Sequence, residues 1–106
     1  MLPAQRSLGE RLRACMKDGK LSISDLTLWL DRSRAAVNNW TRLNSRPRDI
    51  YLEEVTRRVR ILETLIYRAK GPLIPYSVGS RERPKFLKEL YNANQDTRVP
   101  ARRPAK

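Results

Sequence analysis

Ten consecutive residues, Ser33-Arg34-Ala35-Ala36-Val37-Asn38-Asn39-Trp40-Thr41-Arg42, hold the side-chain types that read base pairs. Arginine pairs two donors with guanine, and asparagine matches the donor and acceptor of adenine. A small residue such as Ala35 permits close approach and touches a thymine methyl. At helical spacing Val37 and Trp40 fall on one side, and Arg34, Ala35, Asn38, Asn39 and Arg42 on the other. Base reading is expected from Arg34, Ala35, Asn38 and Asn39. Arg42 is better suited to phosphate, together with Arg32, Arg46 and Arg48. A second basic cluster, Arg98, Arg102, Arg103 and Lys106, shares its segment with the single acid Asp96. That tail is expected to touch phosphate or the minor groove.

The rest of the composition narrows the chemistry. The 106 residues carry 23 Lys and Arg against 11 Asp and Glu, a formal net charge of +12. The excess is +5 over residues 1–49, +2 over 50–70, +2 over 71–93 and +3 over 94–106, so it is not a property of the tail alone. Such an imbalance calls for a polyanionic partner, nucleic acid or anionic lipid, and the motif favours double-stranded DNA. Histidine is absent and Cys15 is the single cysteine. The chain alone therefore forms no disulfide and no thiolate metal cluster, and no metal or cofactor is expected. No phosphate-binding glycine loop, nucleophile–base pair or paired carboxylate site is present, so neither catalysis nor a small-molecule substrate is expected. No apolar run reaches the ~20 residues of a membrane span, and Arg6, Glu10, Arg11 and Arg13 interrupt residues 1–16 where a signal peptide is apolar. A reduced cytoplasmic setting fits, with no membrane partner.

The motif must be held by helices. Ser7 is placed to cap a first helix, with Glu10 as its capping-box partner and Leu8, Leu12, Cys15 and Met16 inside. Gly19 is expected to supply its left-handed end. Ser22 and Asp25 begin a second helix whose inner face is Leu26 and Leu30. That leaves Trp29 partly exposed, either packing on a later helix or connector or serving a protein interface. Asp31-Arg32 makes a turn, and Ser33 caps a third helix through Leu43 with Val37 and Trp40 in the core. Pro47 blocks continuation. Asp49 is expected to cap a long helix to about Lys70, stopped by Gly71-Pro72. Its Leu52, Val55, Val59, Leu62 and Ile66 step by 3, 4, 3 and 4, a heptad seam that either packs internally or joins two chains. Glu53 with Arg57 and Glu54 with Arg58 have the favourable i,i+4 order. Residues 71–82 read as an irregular connector. Pro84 suits the first turn of a short last helix with Phe86, Leu87, Leu90 and Tyr91 on its apolar face.

Residues 7–49 resemble the phage repressor/Cro-type helix-turn-helix domains. The match is best at Ser33-Arg34-Ala35-Ala36-Val37-Asn38-Asn39-Trp40, followed by Arg46-Pro47, and Leu8-Gly9-Glu10-Arg11-Leu12-Arg13 is similar to the family's first helix. The sequence departs where the family favours alanine (Thr27), glycine (Asp31 and Leu43) and an apolar residue (Arg32). Asp31 tolerates a left-handed turn, and Arg32 has a stem long enough to carry its charge outward. The resemblance implies that the third helix enters the major groove, braced by the first two.

The expected architecture is all-α: a helix-turn-helix domain over residues 1–49, a long oligomerising helix over 50–70, a connector with a short helix over 71–93, and a basic disordered tail over 94–106. The expected function is sequence-specific double-stranded DNA binding by a transcriptional regulator, as a homo-oligomer, a dimer reading two half-sites. Two other roles fit the same features: the DNA-recognition subunit of a viral packaging terminase, and a structural adaptor docking on a nucleic-acid-containing assembly.

Overall fold

Local cap chemistry starts three helices where the sequence places them. The computed structural model describes residues 7–43 and 45–95. It contains α1 (Leu8–Gly19), α2 (Ile23–Leu30), α3 (Arg34–Arg42), α4 (Asp49–Ala69) and α5 (Glu82–Asn94). Among the described residues there is no strand, and the fold is all-α. Ser7 Oγ accepts the Glu10 N–H at 3.1 Å while Glu10 Oε1 accepts the Ser7 N–H at 3.1 Å. Ser22 and Asp25 make the same reciprocal pair at 3.2 and 2.8 Å. Ser33 Oγ accepts the Ala36 N–H at 3.1 Å. Each satisfies donors that a helix start leaves open.

Helix ends depart from expectation in two places. Lys20, not Gly19, is the left-handed residue after α1, with φ 57°. Gly19 stays helical and buried because a Cβ there would lie 2.9 Å from Ile66 Cδ1. Its role is close approach of α1 to α4. α4 ends where expected, with Lys70 (φ 56°) as the left-handed residue just ahead of Gly71. Arg48, not Asp49, is the N-cap of α4, and Asp49 sits inside the first turn, where its charge suits the helix dipole. Asp31 does take the left-handed turn between α2 and α3, at φ 55°.

The seam of α4 belongs to the chain's own core. Val55, Val59 and Leu62 are fully buried, Ile66 nearly so, and Leu52 half-buried. Val55, Val59, Leu62 and Ile66 join Leu12 and Cys15 of α1, Leu26, Trp29 and Leu30 of α2, and Val37 and Trp40 of α3 in one cluster. α4 packs against both α1 and α2. The expectation of an open oligomerising face is thus corrected for Val55, Val59, Leu62 and Ile66, which pack internally, while Leu52 stays half-buried outside the cluster. Ile61 and Leu65 are buried too, which widens the apolar stripe beyond a two-position seam. Arg11 forks onto Glu63 at 2.9 and 2.8 Å, tying α1 to α4. Glu54 takes both Arg58 (2.7 Å) and Arg57 (3.1 Å), so the expected Glu53–Arg57 pair is not formed.

α5 runs to Asn94, longer than its apolar residues suggest, and packs on α2. Its anchor is Arg83, 5% exposed, against Asp25, 4% exposed. The guanidinium bonds both carboxylate oxygens, the Nε–Oδ1 contact at 3.3 Å, and also donates to the carbonyls of Tyr76 (2.6 Å) and Lys20 (3.2 Å). Trp29 is not partly exposed. Its indole is buried, donates Nε1–H to the Arg58 carbonyl at 2.8 Å, and meets the Tyr91 ring edge-on at 5.3 Å. Its role is packing. Among the described residues no helix is long and apolar enough to cross a membrane.

Burial alone would push the Asp25 carboxyl up. The hydrogen bonds from Arg83 and Ser22, with the Arg83 charge, outweigh it and hold the group below its ordinary value of 3.8. A depressed carboxylate stabilises the fold above its unfolded-state value, and that stability is lost as pH falls through the lower folded value. Thermal melts from about pH 5 down to about pH 2 are expected to show a falling midpoint, and Asp25→Asn to flatten that fall. An acid slope identical in parent and variant counts against the Asp25–Arg83 pair as its source.

Candidate nucleic-acid interface

α3 is short, nine residues, and two-sided. Val37, Trp40 and Thr41 are buried, while Arg34, Ala35, Asn39 and Arg42 are exposed. Thr41 lies in the core because its hydroxyl is satisfied locally, donating to the Val37 carbonyl at 2.9 Å. From α1, Arg13 donates to the Thr41 carbonyl at the C-terminal end of α3, where the helix dipole also favours a cation.

Ala35, Asn39 and Arg42 step by four and three residues and so form one stripe along the solvent side. Asn38 is half-buried on the flank next to Thr41, which makes it a less open reader than Asn39. Arg34 is also on that flank, and its guanidinium donates to Ser24 Oγ of α2 at 2.9 Å. The four expected base readers therefore divide: Ala35 and Asn39 point fully outward, Arg34 is tied across to α2, and Asn38 is recessed.

Beside the stripe lies an open cleft of about 890 Å³ between the α2–α3 turn and the start of α4. Asn39, Arg32, Arg46 and Arg48 all line it. Arg46 and Arg48 are exposed on either side of buried Pro47, so the proline anchors the segment while the two guanidinium groups stay free to reach an anion. Arg32 is half-buried, stacked 4.3 Å from the centre of the Tyr51 ring, and its buried Nε has no partner among the described residues. The aromatic face offsets part of the cost of drawing that cation inward.

Three of the four expected phosphate contacts thus share one cleft, and Arg42 lies on the stripe next to it. Tyr51 and Ser24 were not expected here. Each acts through a partner far along the chain, and no spacing rule in the sequence points to either. Arg98, Arg102, Arg103 and Lys106 lie outside the described residues. No group of three or more potential metal-ligating side chains occurs among the described residues. Comparison with protein-family models, with curated proteins and with solved structures finds no match for this chain.

Proposed function

We propose that this protein binds double-stranded DNA with sequence specificity, laying α3 in the major groove as a non-enzymatic regulator in the cytoplasm. The observation that carries the reading is the exposed Ala35–Asn39–Arg42 stripe next to a cleft holding Arg32, Arg46 and Arg48. Phosphate contacts from the cleft and from Arg42 would set the register, and Ala35 and Asn39 would read bases. The net charge of +12 supplies the attraction that brings a duplex to this surface. A dimer on two half-sites would have to form through a face other than the α4 seam, which is internal.

Selection from random duplex DNA at near-physiological salt gives the test, followed by substitution. Asn39→Ala is expected to cost about 1–3 kcal/mol on the selected site and little on random sequence. The Arg46→Gln, Arg48→Gln double variant is expected to weaken binding to all sequences alike. It should also flatten the slope of log K against log salt by about 2. No enriched motif from the selection, with equal affinity for every duplex, would remove base reading and leave a docking protein.

A further inference from the structure

A second cavity, of about 470 Å³, opens between α2 and α5, lined by neither Arg46 nor Arg48. Its volume lies in the range of small-molecule sites. The side chains of Trp29 and Leu87, each 2% exposed, line its interior. The Trp29 N–H is already given to the Arg58 carbonyl, and the Tyr91 hydroxyl is engaged by Arg57 at 3.1 Å. What these residues offer an occupant is therefore ring and methyl surface. The two aromatic rings stand 86° apart and form a corner. Leu28, 51% exposed, leaves further apolar surface beside it.

The charged lining is mostly positive. Lys85 and Lys88 of α5 line the cavity, both exposed and neither in an ion pair among the described residues. Asp31 lines it from the end of α2 and opposes a second negative charge. We propose that this cavity binds an amphiphilic organic monoanion. An apolar ring or short chain lies against Leu28, Pro84 and Tyr91, over a floor formed by Trp29 and Leu87, and its carboxylate stays at the surface between Lys85 and Lys88. The complementarity is twofold: an apolar interior without free polar groups, and two ammonium groups awaiting a counter-charge. An occupant there bridges α2, which packs directly on α3, to α5.

The probe is 1-naphthoate, titrated into the isotopically labelled full chain and followed by amide chemical shifts. Shifts are expected to concentrate at residues 28–31 and 84–91, with a Kd on the order of 1 mM or tighter. Neutral 1-naphthamide, of the same shape, is expected to bind about fivefold or more weakly. The Lys85→Gln, Lys88→Gln double variant is expected to lose naphthoate affinity to the same degree while its spectrum keeps the parent's dispersion. Shifts centred on the Arg32, Arg46 and Arg48 cleft, or spread over every basic face, would overturn the proposal. So would equal binding of the amide, or unchanged affinity in the double variant.

Discussion

Val59→Glu is expected to abolish the cooperative thermal unfolding of this protein. Val59 is fully buried midway along α4, among side chains from other helices. An ionised carboxylate there has no partner, and keeping it neutral costs free energy as well. The loss is expected to be about 4–5 kcal/mol or more, a large part of the total stability of a domain this size. Circular dichroism during a thermal melt checks it. Tyr67, 81% exposed on the same helix, is the control: Tyr67→Glu should change stability by no more than about 0.5 kcal/mol. A Val59→Glu chain that melts like the parent but has a smaller mass in solution would show the seam to be a contact between chains, contrary to the packing described.

Arg83→Leu is expected to cost about 3–5 kcal/mol, because it strands the buried Asp25 carboxylate and leaves the Tyr76 and Lys20 carbonyls without their donor. Asp25→Asn removes the opposite charge and keeps a side chain able to serve the Ser22 cap. Denaturant unfolding of both singles and the double variant forms a cycle. The double variant is expected to be less damaged than the sum of the singles by about 1–3 kcal/mol. Additive losses would mean that the two groups do not act as a pair.

What the sequence made legible was chemistry contained within a few residues. Ser7 with Glu10, Ser22 with Asp25, and Ser33 before Ala36 are cap signals whose partners lie three residues away, and all three hold. The two-sided character of α3 also followed from spacing, because Val37 and Trp40 need only a helical period to share a face. Periodicity could not say what covers an apolar face. The α4 repeat shows in the sequence as apolar, yet its partners, α1 and α2, are set by tertiary packing. The burial of Trp29 is hidden from the sequence for the same reason: its acceptor on Arg58 lies 29 residues on. Local sequence shows Asp25 only as a cap, since Arg83, which neutralises it, is 58 residues distant. At the candidate site, the side-chain types were legible and their division was not. The recess of Asn38, the bond from Arg34 to Ser24 and the stacking of Arg32 on Tyr51 all depend on neighbours brought in by folding.

The shared core limits how these helices can travel between proteins. Of the sixteen buried apolar side chains in the cluster, among the described residues, eight lie at or beyond Val55. During synthesis α1, α2 and α3 emerge before half of the core's side chains exist, and Trp29 waits for an acceptor that has yet to be translated. A gene fusion that transplants residues 1–49 alone therefore carries the stripe on α3 without the floor beneath it. The smallest unit that can be exchanged intact extends through α5, since Leu87 closes the core and Arg83 neutralises the carboxylate that caps α2.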